Sequence, residues 1–383
     1  MARNAASVGD YRALAKARLP HFLFEYIDGG SYDEVTLQRN LDDLRAVKLR
    51  QRVMRDVSKL DLSTELFGQR WAGPVGLGPV GMSGMYARRG EVQAARAATK
   101  AAVPFALSSL AVCSLGEIRR ELGQPIWLQL YMIKDRAFLS DLLANAREAG
   151  CGALLLTVDL PVSGSRYRDV RSGLSVPASA ASSFRRFCQS LLHPAWAWNV
   201  GLRGRPHSLG NLEPVLGKKT GLEDYFGWIA DNFDASISWK DLDWVRERWP
   251  GPLVIKGILD PDDASAAVEH GADGIIVSNH GGRQLDGAMS TAQALPSIAD
   301  AVGGRIPVLV DGGVRSGLDV VRMLALGADF VLLGRAWAYA LAADGERGVA
   351  QMLDLVEAEI RVAMALTGCR TVKEIDHDVL DLS

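Results

Sequence analysis

The stretch GIIVSNHGGRQLDG, residues 274–287, joins a short apolar run to a loop that contains glycines and ionisable side chains. The run GIIV does not alternate apolar and polar residues, which is typical of a parallel strand covered on both faces. His280 and Arg283 would then follow the carboxyl end of that strand. If this pattern recurs along the chain, it predicts a parallel sheet with polar groups collected at one edge.

Seven further apolar runs repeat the pattern. They are PVGLG (74–78), PFALSS (104–109), IWLQLY (126–131), ALLLTVD (153–159), LVIKGI (253–258), PVLVDGG (307–313) and FVLLGR (330–335). Segments with helical periodicity separate them, and several of these end in the glycine that commonly closes a helix. Eight strand–helix units in series predict an α/β fold of the (β/α)₈ TIM-barrel type. An open doubly wound sheet is the alternative, but no GxGxxG turn opens the first unit.

Two regions do not fit the repeat. Residues 1–70 precede the first strand, and we expect them to form a helical cap. Residues 160–250 form an insertion after strand 4 that is too long for a structureless loop in a compact domain. The barrel would therefore comprise residues 71–159 and 251–375 within a single domain of residues 1–383.

Bulk properties exclude several classes of protein. The net charge of −2 gives no general attraction for nucleic acid, so no nucleic-acid partner is expected. The four cysteines are far apart and form no CxxC pair, which argues for a reducing compartment and against disulfides and a metal site. The N-terminus has no apolar signal core, and no apolar run has the length of a membrane span. We therefore expect a cytoplasmic protein whose membrane contact, if any, is peripheral.

A barrel places its catalytic groups at the carboxyl ends of the strands. Polar side chains stand at nearly all of these ends, namely Ser108, Gln129, Tyr131, Thr157, Asp159, Lys256, Ser278, His280, Asp311 and Arg335. One such residue is ordinary loop chemistry, but so many at one rim favour a functional site.

The loops after strands seven and eight read DGGVRSG (311–317) and GRAW (334–337). Barrels often bind phosphate between these two loops, through glycine N–H groups and a helix N-terminus. The alternative is two tight turns with solvated arginines. Lys256 places a cation inside the rim, where it needs an anion beside it. It would either stabilise a reduced flavin ring or form a salt bridge to a neighbouring carboxylate.

SNHGGRQLDG occurs together with LGPVGMSGMYARRGE (77–91), LQLY (128–131), TVDLPVSGSRYRD (157–169), VIKGILDPDDA (254–264) and DGGVRSGLDVVRMLALGAD (311–329). This combination resembles the FMN-dependent α-hydroxy acid dehydrogenase and oxidase family, from about Tyr11 to Ile375. MYARRGE and the insertion that contains WKDLDW resemble its bacterial quinone-linked lactate dehydrogenase branch, rather than the glycolate oxidases or mandelate dehydrogenases.

The resemblance implies roles for particular residues. His280 would be the active-site base and Asp159 its carboxylate partner. The groups that hold the substrate would be Tyr26, Tyr131, Arg166 and Arg283. The FMN contacts would be Pro79, Val80, Gly81, Ser108, Gln129, Thr157, Lys256, Ser278, Asp311, Gly313, Arg315, Gly334 and Arg335. Many family oxidases carry alanine where this chain has Gly81 beside flavin N5, so oxygen reactivity does not follow from the resemblance.

The implied reaction is the oxidation of L-lactate to pyruvate, with FMN as the first electron acceptor and a membrane quinone as the next. His280 would take a proton as two electrons leave for the flavin. Hydride transfer is favoured over a carbanion route, although both would use the same residues. Two alternatives stay open: an oxidase that passes electrons from lactate, glycolate or mandelate to oxygen, and a barrel that binds a flavin or phosphorylated ligand without turnover.

The insertion contains the segment SSFRRFCQSLLHPAWAWNVGLRGRPH (182–207), in which arginines alternate with large apolar side chains. Such a composition suits an element that lies in the membrane interface. It also suits a lid whose aromatic residues are buried over the active site. The resemblance to quinone-linked enzymes favours peripheral contact with the cytoplasmic face of the inner membrane. A homo-oligomer is also expected.

Overall fold

The computed structural model describes residues 5–175, 180–205, 207–216 and 222–381. Its strands are β1 (Thr64–Leu66), β2 (Gln69–Trp71), β3 (Val75–Leu77), β4 (Ala106–Ser108), β5 (Trp127–Tyr131), β6 (Ala153–Thr157), β7 (Leu253–Ile258), β8 (Gly274–Val277), β9 (Val308–Val310) and β10 (Phe330–Leu333). Its α-helices are α1 (Val8–Arg18), α2 (His21–Asp28), α3 (Val35–Ala46), α4 (Gly90–Lys100), α5 (Leu115–Leu122), α6 (Arg136–Glu148), α7 (Tyr167–Ser172), α8 (Ala180–Leu191), α9 (Pro194–Trp196), α10 (Glu213–Leu216), α11 (Leu222–Asn232), α12 (Lys240–Arg248), α13 (Pro261–Glu269), α14 (Thr291–Val302), α15 (Gly317–Ala325) and α16 (Arg335–Thr367). A π-helix spans Ala197–Leu202, and short 3₁₀ turns span Ser83–Met85, Val372–Glu374 and His377–Val379.

Strands β3 to β10 form one parallel sheet in the order β3-β10-β9-β8-β7-β6-β5-β4. A parallel bridge between Leu77 and Phe105 joins the two ends of this sheet and closes the barrel. All eight predicted strands are present, each within the run that indicated it. The predicted (β/α)₈ barrel, with helices before it and an insertion after its fourth strand, is confirmed.

The barrel interior changes from apolar to polar along the strands. Leu155, Val254, Ile276 and Leu309 belong to a buried apolar cluster that is separate from the main core. Successive side chains of a strand point to opposite faces, so the next inward position lies two residues further on. Those positions carry Thr157, Lys256, Ser278 and Asp311. The polar groups therefore form the top layer of the same cylinder that the apolar residues fill.

The N-terminal end of the barrel is closed by the hairpin of β1 and β2. Leu66 belongs to the interior cluster, and Phe67 and Trp71 pack against it. The rings of Phe67 and Trp71 meet Trp127 edge-on, at centroid distances of 5.9 and 6.2 Å. The helices expected within residues 1–70 occupy Val8–Ala46 only, and the hairpin was not anticipated. Strands of three residues are too short to show a periodicity.

A buried carboxylate holds the N-terminal helices to the barrel. Asp28, at the end of α2, accepts hydrogen bonds from Arg12 of α1 (2.8 Å), Arg168 of α7 (2.9 Å) and Tyr339 of α16 (2.7 Å). Burial opposes ionisation, but these donors hold the pKa of Asp28 well below its usual range. The network places the C-terminal end of α2, with Tyr26, against the rim of the barrel.

The insertion lies beside this rim. Trp196 is buried, its ring packs edge-on against Phe22 at 6.3 Å, and its Nε1 donates to the carbonyl of Met85 at 2.8 Å. The segment is therefore anchored to α2 and to the loop after β3. Among the described residues, no helix has both the length and the hydropathy of a membrane span.

Candidate active site

A cavity opens at the carboxyl ends of the strands. Most of the site residues predicted from the sequence line it: Tyr26, Pro79, Val80, Gly81, Tyr131, Thr157, Arg166, Lys256, His280, Arg283, Asp311, Gly313, Arg315, Gly334 and Arg335. The remaining predicted residues, Ser108, Gln129, Asp159 and Ser278, stand behind these and hydrogen-bond to one another or to the lining. The fold thus brings together residues that are spread over most of the chain.

One side of the polar layer is uncharged. Ser108 contacts Gln129 at 3.0 Å, and Gln129 Nε2 donates to Thr157 Oγ1 at 3.0 Å. All three side chains are buried. Because hydroxyl and amide groups both donate and accept, this side can hydrogen-bond the edge of a neutral heterocycle.

The other side of the layer contains an ion pair between a buried lysine and a partly buried carboxylate. Lys256 Nζ lies 2.9 Å from Asp311 Oδ2 and donates to Ser278 Oγ at 2.7 Å, while Ser278 donates to Asp311 Oδ1 at 2.7 Å. Burial would lower the pKa of Lys256, but Asp311 and Asp159 outweigh it and raise the pKa above its usual value. The lysine is therefore charged. The salt bridge, one of the two roles considered for Lys256, is present, and the lysine also lines the cavity.

His280 and Asp159 form a hydrogen-bonded pair. His280 Nδ1 lies 2.9 Å from Asp159 Oδ1, which leaves Nε2 for a ligand in the cavity. Burial lowers the pKa of His280 although Asp159 opposes this, so the imidazole is neutral near pH 7. Burial would raise the pKa of Asp159, but His280 and Lys256 hold it below its usual value. A Cβ at Gly257, whose φ is 112°, would lie 2.6 Å from Asp159 Cβ, so glycine makes room for the pair.

Two guanidinium groups face the cavity beside this pair. Arg283 Nη1 donates to the carbonyls of Tyr26 and Gly29, both at 2.7 Å, and its Cζ lies 4.8 Å from the centre of the Tyr26 ring. Burial and the nearby Arg283 lower the pKa of Arg166, whose Nη1 is 3.9 Å from the carboxylate of Asp169. Two partly buried cations, of which Arg283 makes Arg166 harder to keep charged, favour an anionic ligand between them.

The phosphate corner predicted after strands seven and eight is built around the start of α16. This helix begins at Arg335, and its N-cap, Gly334, offers no side-chain acceptor for the first N–H groups. A Cβ at Gly334 would meet nothing within 4 Å, so the backbone there is open to the cavity. Gly312 and Gly313 line the cavity on the other side. An uncapped helix N-terminus next to glycines suits an anion such as phosphate.

The side chain of Arg335 connects two segments of the chain through hydrogen bonds. Its guanidinium donates to the carbonyls of Ile27 (2.9 Å), Gly281 (2.8 Å) and Gly29 (2.7 Å). Burial, together with Arg283 and Arg315, lowers its pKa to about 9. The side chain therefore ties the SNHGGRQLDG loop to the end of α2.

Several residues that line the cavity were not predicted from the sequence. Tyr86 donates to the carbonyl of Gly81 at 3.1 Å and stands in the quoted segment MYARRGE, so its position in that motif was an available signal. Asp169, which also lines the cavity, is the last residue of the segment TVDLPVSGSRYRD (157–169). Leu110, Leu160 and Ile229 come from loops and the insertion, where an apolar residue carries no signal of its place.

The donors of this cavity fit FMN. The uncapped start of α16 and the neighbouring glycines suit its phosphate. The layer of Ser108, Gln129 and Thr157 suits the polar edge of its ring, and the charged Lys256 suits the ring locus that becomes negative on reduction.

Comparison with known proteins agrees with this fit. A family model described as FMN-dependent dehydrogenase matches residues 15–382. The L-lactate dehydrogenase of Caulobacter sp. (strain K31) is 61% identical over 98% of this chain and 98% of that protein. The L-lactate dehydrogenase of Acinetobacter baumannii (strain AYE) is 60% identical over 98% of this chain and 97% of that protein.

Two solved structures also match this chain over nearly its whole length. A monotopic membrane protein, (S)-mandelate dehydrogenase, superposes with a TM-score of 0.93 at 37% identity, and the match covers 100% of both chains. A mandelate oxidase superposes with a TM-score of 0.83 at 37% identity over 99% of this chain and 98% of that one. Lactate and mandelate are both 2-hydroxy acids. The chain therefore belongs to the FMN-dependent dehydrogenase family, with FMN as its cofactor and a 2-hydroxy acid as the class of compound that it oxidises.

Proposed function

We propose that this enzyme oxidises L-lactate to pyruvate and passes the electrons to a membrane quinone while resting on the cytoplasmic face of the inner membrane. The observation that carries the proposed chemistry is the pair of His280 and Asp159 beside the guanidinium groups of Arg166 and Arg283. The choice of L-lactate is supported by relatives of that name at 60 and 61% identity.

The substrate carboxylate would bind between Arg283 and Arg166. Two of the backbone carbonyls at the end of α2 hold Arg283 in place, so its planar fork is oriented before the substrate arrives. Tyr26 and Tyr131 line the same cavity and can donate to the carboxylate or the hydroxyl. This arrangement would place the hydroxyl of the substrate beside His280.

His280 would accept the hydroxyl proton at Nε2. Because Nδ1 is paired with Asp159, the neutral imidazole presents an unprotonated Nε2 to the cavity. Asp159 would then stabilise the imidazolium, as the carboxylate of a catalytic triad does. FMN, when bound, supplies the acceptor for the two electrons that leave the carbinol carbon. Lys256 would hold positive charge beside that acceptor, since its ion pair keeps it protonated.

The membrane contact is assigned to α8 and the π-helix. Phe184, Phe187 and Leu191 are spaced along one face of α8, and their exposed fractions are 67%, 58% and 59%. Trp198 is 56% exposed, and Arg203 lies 6.0 Å from its ring. Exposed aromatic residues with arginines beside them suit the headgroup region of a bilayer. Residue 206, within the segment singled out in the sequence, lies outside the described residues.

The reaction is tested by anaerobic reduction of the bound flavin with L-lactate, glycolate and (S)-mandelate. We expect L-lactate to give the largest second-order rate constant for flavin reduction. Preference for another acid would refute the choice of substrate, and no bleaching by any of them would refute catalysis. A quinone analogue should reoxidise the flavin faster than oxygen does. Hydrogen peroxide formed in equal amount with pyruvate would identify an oxidase instead.

Membrane binding is tested by co-sedimentation with vesicles that contain anionic lipid. The variant Phe184→Ser/Phe187→Ser/Leu191→Ser should lose binding while lactate oxidation with a soluble dye persists. Substitution is preferable to deletion of the segment, because deletion would also remove the buried Trp196. Unchanged sedimentation would refute the contact, and loss of dye-linked activity would indicate a lid.

A further inference from the structure

Gln284 follows Arg283 in the SNHGGRQLDG motif and contacts the loop that joins β6 to α7. Its Nε2 donates to the carbonyls of Asp159 (2.9 Å) and Val162 (3.0 Å), and its Oε1 accepts from the N–H of Gly164 (3.2 Å). We propose that Gln284 is a positioning residue for the oxidation: it fixes this loop so that Asp159 meets His280 and Arg166 faces the substrate.

Besides Gln284, a hydrogen bond from the N–H of Tyr32 to the carbonyl of Ser165 (2.7 Å) holds the end of the loop next to α7, and the rest of the loop packs weakly. Pro161, Val162 and Ser163 are exposed, and Leu160 is only partly buried against the core. A Cβ at Gly164 would lie 2.5 Å from the carbonyl oxygen of Arg283, so the two loops approach each other backbone to backbone. A segment with few buried apolar contacts has low local stability. The position of the stretch from Asp159 to Gly164 therefore depends on the hydrogen bonds from Gln284.

The ends of the loop carry the chemistry. Asp159 precedes it and Arg166 follows it, and Leu160, Ser163 and Gly164 form part of the cavity wall between them. Asp159 Oδ2 has no hydrogen-bond partner among the described residues, so the carboxylate is oriented by its bond to His280 and by the backbone beneath it. Gln284 binds that same backbone through the carbonyl of Asp159.

The chemistry of an amide matches this position. One end of the side chain donates two hydrogen bonds and the other accepts one, which matches two carbonyls and one N–H. Methionine has nearly the same length and shape but can make none of these bonds. Asparagine keeps the amide but is shorter by one methylene.

The inference rests on the proposed roles of His280 and Asp159. Three charged groups act on His280 from the neighbouring elements: Asp159 after β6, Lys256 of β7 and Arg166 before α7. The ring of Tyr131 from β5 stacks at 6.5 Å. Of the charged groups, only Asp159 raises the pKa of His280, while Lys256 and Arg166 lower it. Displacement of Asp159 should therefore lower the pKa of His280 further.

The test compares the FMN-loaded wild type with Gln284→Met. We expect kcat/KM to fall by about tenfold to hundredfold, with unchanged FMN affinity. The acid limb of the pH profile should move to lower pH. Labelled-histidine NMR, with His280 assigned by its absence in His280→Gln, should report a lower pKa of His280. Gln93→Met is the matched control, because Gln93 also bridges two backbone groups, Arg88 O and Glu346 N, away from the cavity. It should behave as the wild type.

Gln284→Asn is the second variant, in case Gln284→Met does not fold. It should show the same losses, because its amide does not reach the loop. A wild-type pKa of His280 and a wild-type kcat/KM in either variant would overturn the inference. If no 2-hydroxy acid reduces the wild-type flavin, the proposed function fails, and the pKa comparison still decides whether Gln284 places Asp159 against His280.

Discussion

Asp159 and His280 are 121 positions apart in the sequence, yet Asp159 Oδ1 lies 2.9 Å from His280 Nδ1. The two residues follow β6 and β8, with β7 between them in the sheet. Lys256, on β7, acts electrostatically on both groups. This relationship gives the site a neutral base with a fixed tautomer, and it leads to the first two predictions.

His280→Gln should retain FMN and lose most of the turnover. Glutamine can still hydrogen-bond but cannot accept a proton, and general base catalysis typically contributes about 10²–10⁴-fold. The rate of anaerobic flavin reduction by L-lactate measures the loss. His270→Gln is the control, because His270 stacks on Trp239 outside the cavity. Flavin reduction at the wild-type rate in His280→Gln would contradict the role of His280 as base.

The activity should fall at acid pH with an apparent pKa below 6.5. His280 must be neutral to accept a proton, and burial lowers its pKa even though Asp159 opposes this. In Asp159→Asn the opposing charge is gone, so the acid limb of kcat/KM should move to still lower pH while the plateau value falls. A limb that moves to higher pH in this variant would show that another group controls the profile.

Lys256→Met should destabilise the protein as well as weaken FMN binding. It leaves the partly buried Asp311 without its ion-pair partner, so the loss should be smaller than the cost of about 3–5 kcal/mol for removal of one partner of a fully buried pair. Urea unfolding of the apoprotein measures this cost. The double variant Lys256→Met/Asp311→Asn should recover part of the stability without recovering FMN affinity. If the single and double variants are equally stable, the unpaired charge of Asp311 does not destabilise the protein and the expected cost is refuted.

Arg283→Lys should raise the KM for L-lactate by about tenfold or more. It should lower kcat by a smaller factor. Lysine keeps the charge but loses the planar fork that matches a carboxylate. It also cannot reproduce the oriented contacts with the carbonyls of Tyr26 and Gly29. Arg305→Lys is a matched control, since Arg305 also donates to backbone carbonyls but lies outside the cavity. Unchanged steady-state kinetics in Arg283→Lys would exclude it as the carboxylate anchor.

The sequence by itself determined the barrel and most of the residues that line its cavity. Short apolar runs without alternation, separated by helical segments, are typical of parallel strands with both faces covered, and the strands of a barrel place all their carboxyl ends at one rim. Polar residues at the ends of those runs, such as Lys256 and Asp311, were therefore predictable members of one site. The two βα loops rich in glycine indicated the phosphate corner in the same way.

Only the tertiary structure decided which of these residues pair and how. The bond between Asp159 and His280, the ion pair of Lys256 with Asp311 and the use of Arg335 as a cross-link all join distant segments. Local periodicity reports which face of an element is buried, but it carries no information about the partner that arrives from another part of the chain. The hairpin of β1 and β2 could not be predicted for the same reason, because its short strands gain their stability from packing on the barrel interior.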